Sequence, residues 1–168
     1  FVETYRKLRN TLRWMLGNLV HHDGTTVPNA DVPKLGRLVL HRVHEVDAVV
    51  RAGYEAYAFR KVVAALTHYM AADLSAFYFD VRKDALYCDP ASSMRRRAAL
   101  HLIDTVFGCL VRWLAPMLPF TAEEAWLERH PSDNGSVHLE QFPEVAGEWR
   151  DDVLAGGAGQ VPCRAQAV

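Results

Sequence analysis

The stretch Tyr5-Arg6-Lys7-Leu8-Arg9-Asn10-Thr11-Leu12-Arg13-Trp14-Met15-Leu16-Gly17-Asn18-Leu19 decides the fold class. Its residues Tyr5, Leu8, Leu12, Met15, Leu16 and Leu19 recur at steps of three and four, the repeat of a helix that buries one side. The helix is expected to end at 18–20, because His22-Asp23-Gly24-Thr25-Thr26-Val27-Pro28-Asn29 is polar and rich in turn formers. Pro33 suits the first turn of a second helix, with Leu35, Leu38, Val39, Val43, Val46 and Val50 along one side and Gly53 as its stop. Tyr54, Tyr57 and Phe59 lead into a third segment. There Val62, Val63, Leu66, Tyr69 and Met70, continuing through Leu74, Phe77 and Tyr78 toward Leu86, predict one long helix or two with a kink. Asp89-Pro90 closes it, since a residue before proline is pushed out of the helical region. Ser92 or Ser93 is expected to cap a fourth helix with Leu100, Ile103, Val106, Phe107, Leu110, Val111 and Leu114 inside, ending at Pro116 and Pro119. Thr121-Ala122-Glu123-Glu124 has the form of a capping box opening a last short helix through Trp126. The alternation in Val137-His138-Leu139-Glu140-Gln141-Phe142-Pro143 predicts an extended, strand-like arm. The sum is an all-α antiparallel bundle of four to five helices over 1–130, a short extended arm over 131–150 packing on it, and a frayed or truncated tail over 151–168, with at most a turn of helix at 150–154.

Composition narrows the class. The chain has 168 residues, 50% hydrophobic and 23% charged, which suits one cored domain and excludes disordered, collagenous and disulfide-scaffold classes. Lys and Arg number 19 against 20 Asp and Glu, a net charge of -1, so any affinity for nucleic acid must come from a local basic patch. The apolar run 106–120 is broken by Arg112, Pro116 and Pro119 and falls short of the roughly 20 residues of a spanning helix, so no membrane segment is expected. The opening residues, with Glu3, Arg6, Lys7, Arg9 and Arg13 among them, lack the apolar core of a secretory signal. Cys88, Cys109 and Cys163 are odd in number and far apart, which fits a reducing, cytoplasmic setting better than a disulfide framework. Cys109 reads as a small core residue.

Catalytic chemistry finds no foothold. No glycine-rich loop links a strand to a helix, and Gly156-Gly157-Ala158-Gly159 reads as flexible tail. His41 and His44 share a helix face but lack a third ligand at a matching step, so they read as ordinary, partly exposed histidines, and no metal ligand is assigned. Glu123-Glu124 and Asp151-Asp152 are adjacent rather than facing and suit helix starts. Two basic clusters remain. On the first helix Arg6, Arg9 and Arg13 flank the apolar stripe, with Asn10 beside them and Lys7 and Trp14 on the other polar flank. Together they offer forked donors for phosphate, an amide for a base edge and a ring for stacking. Arg95, Arg96 and Arg97 stand at a helix start, where cations oppose the dipole. Taken as charges alone, both clusters read as solvated or paired faces. Tyr69, Phe77, Tyr78, Phe79 and Trp113 read as core.

Four blocks carry a resemblance. Tyr5-Arg6-Lys7-Leu8-Arg9-Asn10-Thr11-Leu12-Arg13 with Gly17-Asn18-Leu19, then Tyr54-Glu55-Ala56-Tyr57-Ala58-Phe59, then Leu74-Ser75-Ala76-Phe77-Tyr78-Phe79-Asp80-Val81-Arg82-Lys83-Asp84, and last Val111-Arg112-Trp113-Leu114-Ala115-Pro116-Met117-Leu118-Pro119-Phe120-Thr121-Ala122-Glu123-Glu124-Ala125-Trp126 resemble the helical anticodon-binding domain of isoleucyl-tRNA synthetases over about residues 1–145. The resemblance implies a fragment of an isoleucine-tRNA ligase, non-catalytic by itself, that binds the anticodon stem and loop of tRNA(Ile). A catalytic domain elsewhere in the full enzyme would join isoleucine to the tRNA using ATP and Mg, alongside an editing domain and, in many bacterial forms, a zinc module. Under it, Arg6, Arg9, Asn10 and Arg13 are the expected RNA contacts, with Lys7 and Trp14 next and Arg95, Arg96 and Arg97 after them. Neither DNA nor a membrane is expected as a partner. The chain departs from the pattern at Leu35-Gly36-Arg37-Leu38, where the family commonly has Leu-Asp-Arg-Trp, and after Trp149, where the family continues into another helix. The same domain of a valyl or leucyl enzyme, and a helical protein-interaction module without RNA binding, stand as the alternatives.

Overall fold

In the computed structural model, which describes residues 2–158, the chain forms helices α1 (Val2–Leu19), α2 (Lys34–Glu55), α3 (Phe59–His68), α4 (Phe79–Tyr87), α5 (Met94–Leu114), α6 (Pro119–Arg129) and α7 (Asp152–Ala158). No strand occurs among the described residues. A π-helical stretch, Tyr69–Tyr78, joins α3 to α4, so Phe59–Tyr87 is one continuous helix of 29 residues. The spacing of its buried residues fits this geometry. Val62, Leu66, Met70, Leu74 and Tyr78 are all buried and follow at steps of four. Four residues overshoot an α-helical turn by about 40°, so five such residues would spiral off the core. The wider π turn, of roughly 4.4 residues, is undershot by a similar angle, and the two drifts cancel. By length and composition alone this helix is apolar enough to cross a membrane, a feature not expected from the run 106–120. Here those five side chains face the bundle core.

Helix α5 is the centre. Ala98, Leu102, Ile103, Phe107, Leu110, Val111 and Trp113 are among twelve of its residues that are buried, and α1, α2, α4 and α6 pack around it. Cys109 lies within this core, where burial pushes its thiol up to about 12, so it is an inert packing residue.

Several local readings change in the folded chain. Gly53 does not end α2, which runs on to Glu55. The stop is a Schellman turn: the Ala58 amide donates to the Gly53 carbonyl at 2.7 Å and the Tyr57 amide to the Tyr54 carbonyl at 3.1 Å, with Tyr57 in the left-handed region at φ 54°. Gly53 serves packing instead, because a Cβ there would fall 2.5 Å from Val62 Cγ2. The capping box at Thr121 does not form, since Pro119 opens α6 earlier and both Thr121 and Glu124 reach across to α1. Ser93 holds the N-cap position of α5, yet its hydroxyl donates to Asp89 at 3.0 Å. The arm is not strand-like: Val137–Leu139 and Gly147–Trp149 are 3-10 turns, fastened by Val137, Phe142, Val145 and Trp149 against the core. Nor does the chain fray directly after 150. Asp151 donates its amide to His41 Nδ1 at 3.0 Å and accepts from the Leu154 amide at 3.0 Å, starting α7. His41 is therefore a buried tether, not a partly exposed histidine. The expectations for residues 159–168, Cys163 included, lie outside the described residues.

Gly53→Ala is expected to lower unfolding stability by about 1–3 kcal/mol, because stiff, β-branched Val62 must move, while Tyr57→Gly relieves the left-handed backbone and is expected to raise it. Urea denaturation of the two variants checks both signs.

Candidate nucleic-acid interface

The buried side of α1, Leu8, Leu12, Met15 and Leu19, sits against α5, α6 and the π stretch. Polar bonds fix its rotation. Thr11 Oγ1 lies 3.1 Å from the Ser75 hydroxyl, and Ser75 donates to the Met70 carbonyl five residues back at 2.8 Å. Trp14 stacks on Phe79 with centroids 4.0 Å apart and planes at 19°, so one face of its ring is already covered. On the opposite flank Arg9 forms a two-point pair with Glu124, Nη1 to Oε2 at 2.7 Å and Nη2 to Oε1 at 2.9 Å, and the Tyr5 hydroxyl meets Thr121 Oγ1 at 3.1 Å. The hydrogen bonds from Arg9 hold the Glu124 carboxyl below its ordinary value of 4.5. Arg9 is thus a clamp between α1 and α6 before any ligand arrives.

The remaining predicted contacts differ in freedom. Arg6 lies 3.9 Å from Glu3, both well exposed. Lys7, Asn10 and Arg13 are exposed, and among the described residues none of the three makes an ion pair or a side-chain hydrogen bond. Arg95 and Arg96 serve the α4–α5 connection, Arg95 lying 3.8 Å from Asp89 and Arg96 donating to the Asp89 carbonyl at 2.9 Å, while Arg97 donates to the Ala91 carbonyl at 3.4 Å and lies 3.8 Å from Asp23 of the α1–α2 connection. These contacts offset the dipole at the start of α5.

The line Asn10, Arg13, Gly17 runs along α1 between two grooves. One, of about 490 Å3, faces α6 and includes Glu124 and Glu128 in its wall. The other, of about 480 Å3, faces the end of α4 and is lined by Asn10, Arg13, Trp14, Gly17, Asn18, His21 and Tyr87, with no carboxylate. An anion is therefore favoured in the second. Tyr87, 61% exposed, escaped the sequence reading because a single aromatic on the polar side of a helix end leaves no periodic signal. A third, apolar groove of about 780 Å3 lies elsewhere, between Tyr5, Leu8, Phe59, Val63, Leu66 and Met117. Among the described residues no three His, Cys, Asp or Glu side chains converge to hold a metal ion.

Among the described residues, the bundle presents unpaired basic and amide groups along one helix, the donor types that meet phosphates and base edges. Residues 36–164 match the family described as the anticodon-binding domain of tRNA ligase, and the chain belongs to that family. It is 58% identical over 154 residues to an isoleucine–tRNA ligase of Mesorhizobium japonicum, 59% over 153 residues to one of Agrobacterium fabrum and 55% over 155 residues to one of Rhodopseudomonas palustris. These alignments cover 91–92% of this chain and 15–16% of the relatives, so the chain spans about one sixth of their length.

The clamp has a pH signature. With the Glu124 carboxyl depressed in the folded chain, its contribution is complete above about pH 4.5 and is lost as pH falls through the lowered value. Wild type is therefore expected to melt above Glu124→Gln at neutral pH, with the gap closing below about pH 4.5; melting curves from about pH 7 to about pH 3 check this, and a constant gap rejects it.

Proposed function

We propose that this chain binds the anticodon stem and loop of tRNA(Ile) in the cytoplasm. In doing so it holds the tRNA for ATP-dependent aminoacylation with isoleucine by a catalytic domain of the same enzyme, which also carries an editing domain. The observation that carries this reading is the α1 face: Lys7, Asn10 and Arg13 stand exposed and unpaired among the described residues, with Arg6 beside them. Guanidinium and ammonium groups supply salt-sensitive phosphate contacts that set orientation, and amide and aromatic groups read unstacked bases. Family membership and similarity to isoleucine–tRNA ligases support the choice of tRNA. ATP, Mg and Zn belong, in this proposal, to parts of the enzyme outside the chain. Trp14 is a lesser contact, as Phe79 covers one of its faces. Arg9 acts by keeping α1 seated on α6, and Arg95, Arg96 and Arg97 are secondary to the α1 face because each is already engaged, Arg95 and Arg96 with Asp89 and Arg97 with Asp23.

A second reading rests on the apolar groove at Phe59, Val63 and Met117, which suits a helical protein-interaction module. Salt separates the two. Binding of the chain to tRNA(Ile), to an anticodon-swapped tRNA(Ile) and to an unrelated tRNA is expected to weaken with salt and on the swap. Arg13→Ala is expected to flatten the log-log salt slope by roughly 0.7–0.9, one phosphate contact. Absence of salt-sensitive RNA binding in a folded sample favours the interaction module.

A further inference from the structure

Gly17 lies in the last two turns of α1, in an ordinary helical conformation and fully at the surface. A Cβ built there meets no atom within 4 Å, so nothing inside the fold requires its absence. Glycine in a helix is nevertheless less favourable than alanine. Its bare backbone forms part of the wall of the carboxylate-free groove between α1 and the end of α4. Across that groove stands Tyr87, the last residue of α4, 61% exposed and without a side-chain hydrogen bond among the described residues. Arg13, Asn10 and His21 border the same space.

The geometry points to this groove as the seat of one unstacked RNA nucleotide, its base laid on the Tyr87 ring, its phosphate on Arg13 and its sugar passing over Gly17. The inference rests on the tRNA-binding reading above and adds the place where a single nucleotide leaves the stack. Three features favour RNA as the occupant. The groove of about 480 Å3 is large enough for one nucleotide but not for a folded element. It pairs a cation with an aromatic ring, the combination that single-stranded nucleic acid uses. Its neighbour across α1, of similar size, sets Glu124 and Glu128 against Arg9 and Arg13, so it has no net positive charge to attract a phosphate, whereas Arg13 is unopposed here.

The test uses the full 168-residue chain and a fluorescently labelled tRNA(Ile) transcript, with a melting curve for every variant. Tyr87→Ala is expected to weaken binding about tenfold, in line with one lost stack, and Tyr87→Phe to stay within about twofold of wild type. Gly17→Leu puts a side chain at the groove wall, where a Cβ meets no atom within 4 Å, and is expected to weaken binding about tenfold while melting at or above the wild-type temperature. Lys7→Ala, outside the groove, serves as the control for α1 binding in general. If Lys7→Ala weakens binding but Tyr87→Ala and Gly17→Leu do not, the nucleotide seat is wrong and the α1 reading stands. If wild type itself does not bind the transcript, both are wrong.

Discussion

Helix α5 is the most buried element: twelve of its 21 residues are buried, Trp113 and Phe107 completely, and only a half-buried polar line through Arg97, His101, Asp104, Thr105 and Arg112 runs along it. That single requirement places the rest of the chain. A helix with so wide an apolar surface cannot face water, so α1, α2, α4 and α6 must each bring an apolar stripe to it. Once those stripes are used inward, only the outer sides of the surrounding helices are left for function. The α1 face is therefore set from behind, by what Leu8, Leu12 and Met15 have to cover.

The charges on that face sort themselves by distance to the next helix. Arg9 reaches Glu124 and is neutralised locally, whereas Arg13, one turn further along, has no carboxylate within ion-pair range among the described residues. Two arginines that look equivalent in the sequence thus take opposite jobs, one mechanical and one available to a ligand. Arg95, Arg96 and Arg97 show the same economy, gathered by Asp89, Asp23 and a backbone carbonyl where a helix would otherwise begin with uncompensated positive charge.

Much of this was legible beforehand, because helices advertise themselves through local repeats. The limits of α1, the proline at the start of α2, the long third segment and the core of α5 all follow from residues within a few turns of one another. What escaped the sequence depends on partners far away in the chain. Thr121 and Glu124 match a local capping pattern, yet their partners Tyr5 and Arg9 lie more than a hundred residues earlier. His41 looks like a surface histidine until the Asp151 amide, 110 residues on, arrives at its ring. Of the interface, the basic and amide residues of α1 could be named from spacing, but whether each was free or paired could not. Tyr87 needed the fold to bring α4 beside α1.

The π stretch between α3 and α4 has a mechanical meaning for the whole molecule. Wound at the ordinary helical pitch, its ten residues would turn α4 by roughly half a revolution about its own axis relative to α3. Phe79 and Leu86 would then swing off the core, and Tyr87 would point away from α1. The stretch behaves like a torsion spring clamped at both ends, with Leu66 gripping one end and Phe79 the other. A residue inserted or deleted inside it would be felt not as a local bump but as a misaimed tyrosine nine or more positions downstream.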